Sequence, residues 1–266
     1  VITWRVVHLM RSGQVAPENL LVTTFTNKAA EELQDRIQAQ LPDVNVQRMQ
    51  VSTIHSFCAE LLRRYRRQSP LPGGFRLLDE QGQLLFVYAE RKALGLDDIV
   101  KGRPYDFFSS VIGLFNLATE ELVDPEDLEA WCEEQGRCCD EKETGLWQER
   151  HTVAEAYRRY CQLLAEGGLV DFAFLQRHAL ALLLQNPQVL EELRRQYREI
   201  LIDEYQDTNA AQDRLLGLLA GDGEHLTVVG DDDQSIYRFR GATVRNILTF
   251  PERYPGTHVV RLTRNF

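Results

Sequence analysis

Four short apolar runs, at 20–25, 51–53, 199–202 and 226–229, stand among longer stretches with helical periodicity. Runs this short, bounded by turn residues, suit buried strands, and the segments between them are long enough to be crossover helices. Parallel neighbours require such crossovers, and the helices then cover the sheet. The pattern therefore predicts an α/β fold, a mainly parallel sheet with helices on both faces. Helices are expected at 3–12, ended by Gly13, and from a cap at Thr26 or Asn27 to about Leu41, before Pro42. Further helices are expected at 54–67, 171–185, 210–219 and 244–250, and a last strand at 258–262.

The run from Ser69 to Gly74 holds two prolines and two glycines and reads as a break. From Gln81 to Gly168 the periodicity is helical throughout, which predicts an all-helical insertion. The limits read from the sequence are 1–80 for the first part of the sheet domain, 81–168 for the insertion and 169–266 for the second part. Net charge is −10, which argues against a uniformly basic nucleic-acid module. The charge is uneven, however. Arg48 to Arg76 holds six arginines and one acid, whereas Thr119 to Glu143 holds eleven acids and two bases. A local basic surface can hold phosphates on an acidic chain. The acidic cluster reads most simply as a solvated face. No run of 18 apolar residues occurs, so no membrane span is expected, and no signal peptide is visible. The five cysteines form no C-x-x-C pair and read as reduced thiols of a cytoplasmic protein; a metal site on Cys132, Cys138 and Cys139 is the lesser alternative.

Chemistry concentrates where strands end. Leu201-Ile202-Asp203-Glu204-Tyr205-Gln206-Asp207 sets two acids at the carboxyl end of an apolar strand, where open parallel sheets bind ligands. One carboxylate there can hold a hard cation, and the next can orient or deprotonate water. Val228-Val229-Gly230-Asp231-Asp232-Asp233-Gln234 ends in three acids, followed by Tyr237 and Phe239 interleaved with Arg238 and Arg240. Rings that stack on bases, alternating with guanidinium groups, suit single-stranded nucleic acid. Thr23-Thr24-Phe25-Thr26-Asn27-Lys28 and Val51-Ser52-Thr53-Ile54-His55-Ser56 each carry a strand into a helix through polar donors, an arrangement open to anions. Taken singly, each has an ordinary structural reading as well: a solvated loop, a core aromatic, a plain helix cap, a structural histidine.

Together and in this order, the four segments resemble the UvrD/Rep/PcrA family of superfamily 1 DNA helicases. The resemblance implies a RecA-like, P-loop NTPase-type motor domain (1A) with a helical insertion (1B). It implies an ATP-dependent enzyme that moves 3′ to 5′ on single-stranded DNA, separates duplex and uses ATP and Mg²⁺. Asp203 would help hold Mg²⁺, Glu204 would be the general base, and Gln234 would sense the γ-phosphate. Phe25, Thr26, Asn27, Lys28, Thr53 and His55 would line the strand path, and Tyr237 and Phe239 would meet the bases or the nucleotide-linked core beside them. A second motor domain, outside this chain, would close on this one.

The sequence also departs from the family. The phosphate loop G-x-x-x-x-G-K-[ST] is missing, since none of the four lysines (Lys28, Lys92, Lys101, Lys142) follows a glycine; it is expected just before Val1. Arg261-Leu262-Thr263-Arg264-Asn265-Phe266 stops one residue before an arginine that in the family meets the γ-phosphate. Arg238 and Phe239 stand where glycine and tryptophan are usual. Two other readings stay open: a helicase–nuclease subunit of the AddA/RecB kind, and a non-hydrolysing DNA-binding module. Since a closing arginine alone is worth about 10³–10⁵ in rate, residues 1–266 by themselves are expected not to hydrolyse ATP usefully. DNA-stimulated phosphate release by this chain in a malachite-green assay contradicts that expectation.

Overall fold

A computed structural model describes residues 1–71, 74–140, 142–234 and 245–262. The chain divides into two compact units, Val1–Phe57 with Asn186–Phe266, and Cys58–Gln185.

The first unit is built on a four-stranded parallel sheet of β1 (Leu20–Thr24), β2 (Gln50–Thr53), β5 (Glu199–Ile202) and β6 (Leu226–Val228), in the order β2-β1-β5-β6. Val22 lies opposite Val51 on one side and Leu201 on the other. Side chains alternate across a pleated strand. Leu20, Val22 and Leu201 enter one core with Ile2, Val6, Val7 and Leu9 of α1 (Ile2–Arg11) and Ala30, Leu33 and Ile37 of α2 (Asn27–Gln40). The alternate residues Leu21, Ile200 and Ile202 face the other way and are buried too. A sheet apolar on both faces must be covered on both, which is why β1 and β5 read as unbroken apolar runs.

Local signals end the helices as expected. Thr26 caps α2, its hydroxyl accepting the Ala29 N–H at 3.0 Å. After α1 the chain turns through Gly13 at φ +66°, a conformation glycine adopts without steric penalty. Helix α3 (Ile54–Arg64) stops short of Arg67: Gln68 and Ser69 both donate to the Tyr65 carbonyl, and Pro70 disfavours helix at Ser69.

The connection from β1 through α2 to β2 runs to one side, whereas β5 joins β1 on the other. Strand order therefore reverses between β1 and β5, and the crevice outside their carboxyl ends is where such sheets take ligands. The strand expected at 258–262 does not form. This stretch pairs with no strand among the described residues, and Val259, Val260 and Leu262 are 55%, 67% and 74% exposed. Apolar alternation alone is not enough; a strand also needs a partner edge. The helix expected at 244–250 is two short ones, α11 (Arg245–Leu248) and α12 (Phe250–Arg253), with residue 244 outside the described residues.

Among the described residues the second unit is helical apart from one two-residue parallel pair, β3 (Arg76–Leu77) with β4 (Leu169–Val170). Its helices are α4 (Glu80–Ala89), α5 (Pro104–Glu120), α6 (Pro125–Cys138), α7 (Thr144–Gly167) and α8 (Phe172–Gln185). It is wider than 81–168, because β4 pairs with β3 and α8 packs on α5, drawing both flanks into the helical core. Phe115 stacks on Tyr160 with centroids 5.1 Å apart. At the centre sits a buried polar knot. Asp171 accepts the Phe174 N–H at 2.8 Å, the Tyr160 hydroxyl at 2.6 Å and the Gln83 amide at 3.0 Å. Burial raises the Asp171 pKa, and the bonds from the Phe174 N–H, the Tyr160 hydroxyl and the Ala173 N–H oppose the rise. Tyr160→Phe removes one donor from a buried acceptor and is expected to destabilise the protein by about 1–3 kcal/mol. Urea unfolding that shows no loss of stability contradicts this.

Candidate active site

The β1–β5 crevice is where the polar residues converge. At its floor the Asp203 N–H donates to the Thr23 carbonyl at 2.9 Å, extending the β1–β5 ladder by one bond beyond β5. The chain then turns sharply. Glu204 lies in the left-handed region (φ 53°, ψ 43°), which is uncommon for a residue other than glycine. Such a conformation costs about 1–3 kcal/mol and persists only where neighbours hold it. The Tyr205 N–H donates to Val229 at 3.0 Å and the Asp207 N–H to Glu204 at 2.9 Å, fixing both sides of the turn.

Asp203 and Glu204 are half-buried. Burial raises the Asp203 pKa, and the neighbouring Glu204 charge raises it further. A bond from the Glu204 N–H opposes this. Asp207 is shifted upward by burial and by Glu204. Its Oδ1 and the Thr23 hydroxyl are buried with no hydrogen-bond partner among the described residues. No three His, Cys, Asp or Glu side chains among the described residues gather around one point. The carboxylates on this turn that could hold a cation are those of Asp203 and Glu204.

The acid turn after β6 joins the same site. The Gln206 amide donates to Glu204 Oε2 at 2.7 Å, while its Oε1 accepts the Asp231 N–H at 3.0 Å. Asp231 in turn accepts the Gln234 amide at 2.6 Å. A run of hydrogen bonds, passing through the Asp231 backbone, thus links Glu204 to Gln234. Gly230 makes room for it, because a Cβ there would come within 2.5 Å of Gln206 Oε1.

A second polar surface lies on the same sheet edge. Thr24 of β1 is in register with Thr53 of β2, so the two following turns emerge side by side. The Ser56 hydroxyl reaches Asn27 at 3.4 Å. Phe25, Thr26, Asn27 and Lys28 are exposed, with Lys28 4.0 Å from Glu32. Thr53 is 6% exposed, and its hydroxyl accepts the Ser56 N–H at 3.1 Å and bonds the Ser56 hydroxyl at 2.9 Å. It therefore shapes the start of α3 and presents little surface of its own. His55 is half-buried, and burial lowers its pKa to about 4. At neutral pH it is uncharged and can act by hydrogen bonding or stacking. Tyr237 and Phe239 lie outside the described residues.

Two features escaped the sequence reading. Gln206 sits inside the acid motif, and only the glycine before the next acids hinted that something must approach closely there. The other is a brace. Arg253 of α12 pairs with Asp213 of α10 (Ala210–Ala220), donates to the Tyr205 hydroxyl at 2.9 Å and to the Asn246 carbonyl at 3.0 Å. Asn246 donates to the Thr208 carbonyl at 3.0 Å. Nothing in the spacing of residues 205, 213 and 253 signals it. The cysteines gather no site: Cys132 is buried, Cys138 exposed and Cys139 half-buried.

The family model of the UvrD/REP helicase N-terminal domain matches residues 1–255. The ATP-dependent DNA helicase PcrA of Bacillus subtilis is 36% identical, with all of this chain and 33% of that protein covered. DNA helicase II of Escherichia coli K12 is also 36% identical, with all of this chain and 34% of that protein covered. The chain thus spans about a third of the length of the curated relatives it matches. With a RecA-like parallel sheet, acids at the reversal of its strand order and a family match over nearly its whole length, the chain belongs to the UvrD/REP helicase family, in the N-terminal domain.

Proposed function

We propose that this chain is the ATP-binding motor portion of a longer ATP-dependent DNA helicase, which moves 3′ to 5′ along single-stranded DNA and separates duplex. The observation that carries the reading is the run Glu204–Gln206–Asp231–Gln234 at the same sheet edge as the Phe25–Lys28 and Thr53–Ser56 turns. Hydrolytic carboxylates and a strand-facing surface then share one rigid support, which is what coupling nucleotide turnover to movement requires. The sheet unit is the motor domain 1A, and the helical unit corresponds to its insertion 1B. The bacterial relatives agree with work in the cytoplasm.

Asp203 fits a Mg²⁺ ligand: a half-buried carboxylate at the end of a central strand, beside the second carboxylate of Glu204. A cation bound there would neutralise charge on the β- and γ-phosphate oxygens. Glu204 fits the general base. Its Oε2 is held by Gln206, and its Oε1 takes part in no hydrogen bond among the described residues, leaving it able to take a proton from water. Gln234, exposed beside Asp231, fits a sensor of the γ-phosphate. Phe25 offers a ring 38% exposed for stacking on a base, and Thr26, Asn27 and Lys28 offer polar contacts to the backbone. Thr53 supports this surface from below, and neutral His55 borders it. Tyr237 and Phe239, outside the described residues, are proposed to meet the bases.

The test uses the full-length protein. Single-stranded DNA is expected to stimulate ATP hydrolysis, and a strand is expected to be displaced from a 3′-tailed duplex but not from a 5′-tailed one. Glu204→Gln is expected to lower kcat roughly 10²–10⁴-fold with oligonucleotide affinity retained. Unchanged turnover, or displacement only from the 5′ tail, contradicts the reading. The strand surface has its own signature in salt. Lys28→Ala is expected to flatten the slope of log affinity against log salt by about 0.7 for a single strand. His55→Ala is expected to leave that slope unchanged near neutral pH, because the imidazole carries no charge there. Equal slopes for Lys28→Ala and the parent protein would remove Lys28 from the strand path.

A further inference from the structure

Gln206 is 1% exposed, yet its side chain makes two polar contacts, and they reach two different loops. Its orientation follows from chemistry alone. The Asp231 backbone N–H can only donate, so the amide oxygen must face it, and the amide nitrogen must then face Glu204. A donor at 2.7 Å holds one carboxylate oxygen of Glu204 and leaves the other to act. The backbone adds a constraint. Glu204 is held in the left-handed region, so its side chain leaves the turn in a direction that ordinary backbone would not give. Gly230 permits this close approach, because a Cβ there would overlap Gln206 Oε1 and Ile247.

We infer that Gln206 is a positioning residue, which ties the Glu204 carboxylate to the Asp231–Gln234 turn so that any displacement of that turn moves the carboxylate. The inference rests on Glu204 as the base proposed above. With Gln206 in place, the base is aligned only while the acid turn is seated. Its rate contribution is then geometric: a misplacement of about 1 Å can cost about 10²-fold, with nucleotide binding largely spared.

The experiment compares Gln206→Ala, Gln206→Glu and Glu204→Gln in the full-length protein, measuring kcat and KM for ATP with single-stranded DNA. Gln206→Ala is expected to lower kcat about 10–100-fold with KM within about twofold of the parent. Gln206→Glu keeps the shape and can still accept the Asp231 N–H, but it donates to Glu204 only while protonated. A carboxylate there keeps the bond from the Asp231 N–H but repels Glu204, so Gln206→Glu is expected to lower kcat at least as far as Gln206→Ala, again with KM within about twofold of the parent. A residue that merely fills space would tolerate this nearly isosteric change. A parent-like kcat in Gln206→Ala or in Gln206→Glu overturns the inference. Because Gln206→Glu is nearly isosteric, it decides the matter even if the alanine variant does not fold. Glu204→Gln separates the two claims. If it retains parent turnover, the base assignment itself fails; if it is inactive while both Gln206 variants behave as the parent, only the role of Gln206 fails.

Discussion

The parallel pairing of β1 with β5 is the constraint on which the rest of this structure depends. These strands lie far apart in sequence, with the whole helical unit between them, so their pairing closes a long loop at a cost in entropy that local contacts cannot offset. Burial on both faces offsets it. Val22 and Leu201 enter one core, Leu21 and Ile200 the other, and each is at most 2% exposed. A buried aliphatic side chain contributes roughly 1.5–3 kcal/mol, so a handful of them is enough to make the register firm. A slip of one residue would turn every side chain to the wrong face. That register brings Thr23, Thr24 and Asp203 to a common edge.

The same edge accepts unfavourable terms that a purely structural sheet would avoid. Asp203 and Asp207 are partly desolvated beside Glu204, and their pKa values rise as a result. Glu204 has a left-handed backbone, and a threonine hydroxyl and a carboxylate oxygen are buried without partners among the described residues. Each lowers stability, and such terms gather at functional sites. Opposing them are the bonds around the turn: Tyr205 to Val229, Gln206 to two loops, and the Arg253–Asp213–Tyr205 brace from α12.

The fold was legible in the sequence wherever local and global signals agree. β1, β2, β5 and β6 are short apolar runs ending in polar turns, and Thr26 and Gly13 punctuate helices by chemistry that acts within a few residues. The strand assigned to 258–262 shows the limit, because His258-Val-Val-Arg-Leu262 has strand composition but no neighbour among the described residues, and pairing is not a property of the segment. The width of the helical unit was hidden for a similar reason: whether α8 belongs with the sheet or with α5 is decided by packing. At the site, residue types and their order point to acids at strand ends, and Asp203, Glu204, Gln234, Phe25 and Lys28 all lie on that edge. Burial was not legible. The sequence does not say that Thr53 turns inward to Ser56, that His55 is desolvated enough to stay neutral, or that Gln206 spans two loops, since each depends on what lies across from it.

The most direct test is a structure of the full-length protein with Mg²⁺, a non-hydrolysable ATP analogue and a short single strand. The terminal phosphate is expected beyond the carboxyl ends of β1 and β5, within hydrogen-bond reach of Gln234 and one water away from Glu204, with the strand crossing Phe25 and Lys28. A triphosphate seated elsewhere, with Glu204 still facing only protein, would contradict it.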